Sequence, residues 1–542
     1  VTEFRLHGPP GTGKTRALAE SWIPKAADRF GGERVLVCSL TKTAAAEVAG
    51  RTDAVPRHNV GTLHAHCFRA LGTPTIAESK AGEWNALHPA LALTGVGRPS
   101  IEEPDLDIDT RGGRGDELMA RAQVLRHRLI PRDDWPEEVA GFQATWDAWK
   151  TQAGYLDFTD LIEHSLEAIE RAPGDPAVLI VDEAQDSSAL EIALVRRWGE
   201  RADYFVLAGD GDQAIYGWRG AAASAFYGSE IPTERNYHLR QSWRVPRAVH
   251  HIATQWIAQC AHRYAVDYEP RDHDGQARSL RATASNPREL IDDIELKLAE
   301  GRSCMVLVSC AFMLDRFSRA LRARGVAFHN PYRKSNGAWN PLRAAPRLVD
   351  FLRGSRRAFG DTQRTWTWRE LQRWLDLVRS EGTLVRGAKA QINRHLVDAI
   401  SAQTRTQAED LVEIFDREAL ASLAVAMAGG ADEVAWLEER ALASKVRLID
   451  YPGRVYKRGG VVALSAAPKL VVGTIHSVKG GEADVVYLAP DLSPAGMRHW
   501  LARGDERDSV VRTFYVGMTR AREELVLLGR ASPNSLDLGK VA

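Results

Sequence analysis

The sequence predicts an α/β protein built as two parallel-sheet lobes, each interrupted by a mainly helical insertion. Three observations point that way. Short apolar runs of strand length alternate with stretches of helical spacing over residues 1–72 and again over 156–233. A second alternating series occupies 234–344 and resumes over 461–542. Between these, 73–155 and 345–460 lose the β pattern and read as helix-rich segments. Strands alternating with helices argue for parallel sheets, because a parallel connection needs a long crossover. A chain of 542 residues is also too long for one hydrophobic core.

The first element is "EFRLHG", which alternates like a short strand, and "KTRALAESWI" has helical spacing. Between them "GPPGTGKT" fits the phosphate-loop pattern G-x-x-x-x-G-K-[ST] in the strand–loop–helix context it needs. Glycines let backbone N–H groups turn inward toward phosphate oxygens, and the helix N-terminus adds partial positive charge. The expected nucleotide cradle is Gly8, Pro9, Pro10, Gly11, Thr12, Gly13, Lys14, Thr15 and Arg16. Lys14 is expected to reach the β- and γ-phosphates and Thr15 to hold Mg²⁺. "RVLVCSL" (34–40) is a buried-strand pattern, and "HNVGT" leads into the helical "LHAHCFRAL". The spacing gives His64 and His66 no third ligand, so no metal site is expected there.

After the helix-rich 73–155, with breaks at "GVGRPS" and "RGGRG", alternation returns in "AVLIVDEAQD" (177–186) and "YFVLAGDGDQ" (204–213). The first is an apolar strand ending in Asp182 and Glu183, aimed at the sheet edge where ligands bind. A strand-end Asp182 beside a phosphate loop suits Mg²⁺, and Glu183 can orient and deprotonate an attacking water. That is an arrangement for nucleoside triphosphate hydrolysis. A phosphate-loop kinase is a less suitable reading, because its acceptor would displace that water.

The second series contains "NYHLRQSWR", "SCMVLVS" (303–309) and "RGVAFHN" (324–330), then breaks at "PYRKSNGAWNPLR". A helical segment rich in Trp and Arg follows, and its "WTWRELQRW" (366–374) reads as core or interface. The β pattern returns in "KLVVGTIHSVKG" (469–480), "ADVVYLAP" and "ELVLLG". No apolar run is long enough to span a membrane, and no signal peptide is expected. Five cysteines with no C-x-x-C pair suggest free thiols, suiting a reducing cytoplasm. Lys+Arg and Asp+Glu are both 71, so any nucleic-acid surface must be a local cleft, not a general basic coat.

"DEAQDSSALE", "LAGDGDQAIYGWRGA", "GTLHAHCFRAL", "LRQSWRVPRAV", "GTIHSVKGGEADVVYL" and "RTFYVGMTRAREELVL" occur in an order that resembles the motifs of the UvrD/Rep/PcrA-like superfamily 1 (SF1A) DNA helicases. The resemblance spans both α/β series; the insertions match it only in position. It implies two RecA-like lobes with ATP and Mg²⁺ between them. It implies single-stranded DNA and single-strand/duplex junctions as partners, with movement 3′→5′. Gln213 matches a γ-phosphate-sensing glutamine, Arg244 a second-lobe arginine on the phosphates, Arg520 an arginine finger, and Glu482 a residue near the nucleotide sugar. A finger on the opposite lobe makes hydrolysis depend on lobe closure. Trp218 and Arg219 match a position where an aromatic ring stacks on a base, and Thr62, His64, Thr474 and His476 match DNA-backbone contacts.

The sequence departs from the family pattern at "TKTAA" and "KGGE", where the family has "TNKAA" and "KGLE". Seven residues precede Gly8, which leaves the family's adenine-reading glutamine segment outside this sequence and base selectivity open. Two further readings stay open: a translocase that strips proteins from DNA with weak unwinding, and a non-catalytic DNA-binding subunit on a helicase-like fold.

Overall fold

The computed structural model describes residues 3–40, 42–94, 113–217, 220–221, 226–227, 231–333, 340–343, 345–358, 366–427 and 432–539. β1 (Glu3–His7), β2 (Val35–Ser39), β3 (Val60–Thr62), β4 (Val178–Asp182), β5 (Tyr204–Gly209) and β6 (Asn236–His238) form one sheet in the order β3-β2-β4-β5-β1-β6. Every pair in it is parallel. β2 and β4 are buried along their whole length, so they read as apolar runs rather than alternating ones. Successive residues serve opposite faces. Leu36, Leu179 and Val181 pack with Leu63, Ile162 and Trp198 on one side; Val35, Val178 and Ile180 pack with Leu18, Ile23 and Val48 on the other. β6 lies inside the stretch expected for the second lobe, yet it pairs with β1, because the chain completes the first sheet's edge before crossing over.

The helices Arg114–His127 and Glu137–Ala153 gather round Trp84, Phe142, Trp146 and Trp149. A buried ion cluster ties this unit to the first sheet's helices. Arg126 pairs with Asp157, Asp160 and Glu163, and Lys150 with Asp157 and Asp160. Asp157 also caps helix Phe158–Ala168, so one carboxylate fixes both the helix start and the docking of the insertion.

β7 (Gln241–Pro246) and β8 (Glu269–Arg271) form a two-stranded ribbon. β9 (Gln276–Leu280), β10 (Cys304–Val308), β11 (Leu470–Thr474), β12 (Ala483–Leu488) and β13 (Ala521–Leu528) form a second all-parallel sheet in the order β11-β10-β12-β13-β9. Trp366, Trp368 and Trp374 are buried; Trp366 and Trp374 pack among Phe351, Phe415 and Trp436, and Trp368 stacks on His395. This apolar cluster runs without a break from Val306 and Tyr487 through Phe328 and Tyr451 into the second helical segment. Helix Val446–Ser465 returns the chain to β11 and is broken at Gly460, whose φ is 65°. Among the described residues no helix is long and apolar enough to cross a membrane.

Candidate active site

The phosphate loop follows β1 and faces the C-terminal edges of β4 and β5, where the Gly8 N–H donates to the Gly209 carbonyl at 3.2 Å. Lys14 folds back over its own loop, and its Nζ donates to the Gly8 carbonyl at 2.6 Å. Residue 8 has to be glycine, since a Cβ there would lie 2.3 Å from Lys14 Cγ. Thr12 Oγ1 closes the turn on the Pro9 carbonyl at 2.8 Å. Arg16 instead points outward from the first helical turn and pairs with Glu20 on the exposed face.

Thr15 Oγ1 donates to Asp182 Oδ2 at 3.0 Å, which joins the loop to the end of β4. Glu183 sits just past the strand with φ 55°, a left-handed conformation that a non-glycine residue adopts at a cost of about 1–3 kcal/mol. That backbone turn aims its carboxylate into the cleft, where Gln185 Nε2 donates to Glu183 Oε2 at 2.5 Å. Burial and then the Glu183 charge push Asp182 up to about 7, against Lys14 and Thr15. Burial also acts to raise Glu183, but Lys14, Lys479, Gln185 and Arg520 outweigh it and hold the group below its ordinary value. Glu183 is therefore the ionised partner at neutral pH, as a general base requires. A hydroxyl and two crowded carboxylates are hard oxygen donors carrying surplus negative charge, a donor set that fits Mg²⁺ at Thr15 and Asp182.

Gln213 closes the cleft from the end of β5. Its Nε2 donates to Asp210 at 2.7 Å, which fixes the amide so that Oε1 faces the second lobe. There Arg520 Nη2 donates to it at 3.0 Å, while Arg520 Nε and Nη1 donate to the carbonyls of Val516 and Gly481. Arg520 is 2% exposed. Burial and the neighbouring Arg244 lower its pKa to about 9, with Glu183 acting to raise it, so it stays charged at neutral pH. Arg244 donates to Glu482 Oε2 at 2.6 Å, and Glu482 also pairs with Arg522. The two lobes touch directly at Gly11: the Trp243 N–H donates to its carbonyl at 2.8 Å, and Ser242 Oγ donates to the Pro10 carbonyl at 2.9 Å.

Trp243 and Lys479 were not singled out in the sequence. Trp243 is 74% exposed and its N–H is held on the phosphate loop at Gly11, a placement suited to covering a base. Its signal was a tryptophan next to Arg244 in "QSWR". Lys479 Nζ bonds Asp186 and donates to the Gln213 carbonyl at 2.9 Å, which pins the two first-lobe loops to the second lobe. Its signal was a lone lysine before the glycine pair of "SVKGGE".

Four of the residues expected to contact DNA lie within the described residues. Thr62 caps helix Leu63–Ala70 through the Ala65 N–H. His64 lies 3.9 Å from Glu191 and packs edge-on against Phe158. Thr474 accepts from the Ser477 N–H at 3.1 Å. His476 is 2% exposed, with Nε2 on the Ile215 carbonyl at 3.2 Å, and burial lowers its pKa to about 4. Trp218 and Arg219 lie outside the described residues; the neighbouring Gly217 carbonyl accepts from Arg128 at 2.9 Å.

With this geometry in place, comparisons with known proteins are specific. Residues 2–219 match an AAA domain and 469–528 match a UvrD-like helicase C-terminal domain. The chain is 25% identical over 576 aligned positions to ATP-dependent DNA helicase UvrD2 of Mycobacterium tuberculosis (strain ATCC 25618 / H37Rv), covering 95% of this chain and 75% of that protein. It is 26% identical over 258 positions to ATP-dependent DNA helicase PcrA of Leuconostoc citreum, covering 43% and 34%. It is 24% identical over 278 positions to PcrA of Bacillus subtilis (strain 168), covering 47% and 37%. The two matched regions carry the phosphate loop with Gln213 and the β11–β13 stretch with Arg520, and the chain belongs to the UvrD/PcrA-like superfamily 1 helicases.

Proposed function

We propose that the chain hydrolyses ATP between its two lobes and uses lobe movement to travel 3′→5′ along single-stranded DNA and open duplex at junctions. The observation that supports this best is the Arg520–Gln213 bond, which assembles the site from both lobes. The phosphate loop binds the triphosphate through its N–H groups and Lys14, and Trp243 covers the base. Gln185 holds the Glu183 carboxylate so that it takes a proton from the attacking water. Bound at Thr15 and Asp182, Mg²⁺ would neutralise charge on the phosphate oxygens. Arg520 and Arg244 supply fixed positive charge where negative charge builds on the leaving phosphate, and guanidinium geometry suits that task. Loss of the γ-phosphate removes what Gln213 and Arg520 jointly hold, so the lobes part.

On the DNA side, Trp218 and Arg219 are the proposed stacking group, with Thr62, His64 and Thr474 on the phosphate backbone. His476 bears on the strand through the Ile215 carbonyl, three residues before Trp218. A reducing cytoplasm suits the five cysteine thiols. The deciding experiment is strand displacement on 3′-tailed, 5′-tailed and blunt duplexes, with and without ATP. Displacement of the 3′-tailed substrate alone is expected. Equal activity on the 5′-tailed duplex would refute the polarity, and ATP turnover indifferent to DNA would refute the motor.

A further inference from the structure

The segment from Cys260 to Tyr268 joins helix Arg247–Ile257 to β8 and belongs to the second lobe, yet its side chains reach across to the first. Its root is fixed to helix Asp505–Met518. The N–H groups of Ala261 and His262 donate to the Asp508 carboxylate at 2.9 and 2.8 Å, and Arg512 donates to the His262 carbonyl. That helix ends two residues before Arg520, whose Nε donates to the Val516 carbonyl, so root and finger are both tied to it.

Three contacts follow. Arg263 Nε donates to both oxygens of Asp212, at 2.8 and 3.0 Å. The Tyr264 ring stacks on His7 and on Tyr227, each at 5.0 Å between centroids. Tyr268 Oη donates to the Pro10 carbonyl at 2.9 Å. Asp212 precedes Gln213, His7 precedes Gly8, and Pro10 lies within the phosphate loop. Each contact therefore bears on a loop of the nucleotide site or on the residue that leads into it.

We propose that Arg263, Tyr264 and Tyr268 form an inter-lobe clasp, a set of positioning residues that brings the Gln213 loop and the phosphate loop into register when the lobes close. This rests on the reading of the chain as a DNA-stimulated ATPase. The link from Arg263 to Gln213 is electrostatic. Asp212 and Asp210 are buried side by side, and Asp210 is the group that orients the Gln213 amide. The Arg263 guanidinium, with Arg512 nearby, offsets the repulsion between those carboxylates. Without it, Asp212 pushes against the residue that aims Gln213.

The test uses the full chain and steady-state phosphate release at saturating oligonucleotide. Arg263→Ala is expected to lower kcat about tenfold or more while KM for ATP changes less than about threefold. Adding Asp212→Asn to that variant should return kcat to the level of Asp212→Asn alone, because the unpaired carboxylate is what displaces Gln213. Arg263→Lys should recover part of the loss. Tyr268→Phe deletes one hydroxyl from an otherwise unchanged ring, so it carries the same test if Arg263→Ala does not fold. Its kcat should fall about threefold at constant KM. Wild-type kcat in Arg263→Ala, or a loss that Asp212→Asn does not relieve, overturns the clasp. A wild-type protein that DNA does not stimulate overturns the parent reading, and that result is distinct because it needs no variant.

Discussion

Replacing Gly11 with alanine probes the closed arrangement at its tightest point. Gly11 has φ +75°, and a Cβ there would lie 2.5 Å from Arg244 Cβ and 2.7 Å from Ser242 Oγ, both on the second lobe. Two costs arise, and they act differently. The left-handed backbone costs an alanine about 1–2 kcal/mol. That strain is present whether the lobes are together or apart, so it lowers stability without shifting the open–closed balance. The clash exists only in the closed form, and overpacking of this kind costs about 1–3 kcal/mol. At about 1.4 kcal/mol per decade, turnover that depends on closure falls about 5- to 150-fold. Affinity for a non-hydrolysable nucleotide should hold, since the loop binds phosphate through N–H groups that the methyl leaves in place. Gly72→Ala is the control: it carries the same sign of φ, +77°, with nothing within 4 Å of its Cβ. It should lower the thermal midpoint and spare kcat. The assays are phosphate release at saturating oligonucleotide, fluorescent-nucleotide binding and thermal denaturation. Wild-type kcat in a folded Gly11→Ala protein would refute the closed site as the catalytic one.

Glu183→Gln should keep nucleotide binding and cut hydrolysis about 10²- to 10⁴-fold, measured by phosphate release, because only the base is lost. Arg520→Lys should keep oligonucleotide affinity by fluorescence anisotropy while DNA-stimulated hydrolysis drops about 10³-fold or more. A compact ammonium cannot hold Gln213 and a phosphate together. Trp218→Ala should weaken single-strand binding by about 1–3 kcal/mol; unchanged anisotropy would return that ring to a packing role. His66 adds an acid sensitivity. Its Nδ1 accepts from Arg69 at 2.9 Å, so the proton sits on Nε2 and meets the Val37 carbonyl at 3.2 Å. Burial and then Arg69 lower its pKa from 6.5 to about 4. The unfolded chain takes up that proton below about pH 6.5 and the fold does not until about pH 4. This stability is complete above pH 6.5 and lost as pH falls toward 4, up to about 3 kcal/mol. The gap between urea midpoints at pH 7 and pH 5 should narrow in a folded His66→Gln variant, with His7 and His476 supplying the remainder.

Much of this site was legible because its chemistry is written locally. The phosphate loop needs glycines and a lysine at fixed spacing, and an apolar strand ending in Asp182–Glu183 announces where the acids point. The sheet order is legible only in kind: alternation implies parallel pairing but does not say that β1 ends between β5 and β6. Arg263, Tyr264 and Tyr268 left no trace in the sequence. Their partners Asp212, His7 and Pro10 lie about 50 to 260 residues away, and no spacing rule links such positions. His476 shows the opposite difficulty: its motif is readable, but its burial against Ile215 belongs to the meeting of two lobes.

The strand that carries the phosphate loop leaves the ribosome long before either of its partners in the sheet. β1 pairs with β5 from Glu3↔Phe205 onward and with β6 through Arg5↔Asn236. At about 5–20 residues per second, some 200 residues of further synthesis take about 10–40 s. Through that interval the apolar edge of β1 has neither neighbour in the sheet, a period in which chaperone capture competes with aggregation. The Trp-rich first insertion is complete well before β5 and can condense while β1 waits. The nascent chain thus carries the phosphate-loop sequence well before it acquires the geometry of that loop, which waits until the whole first lobe has emerged.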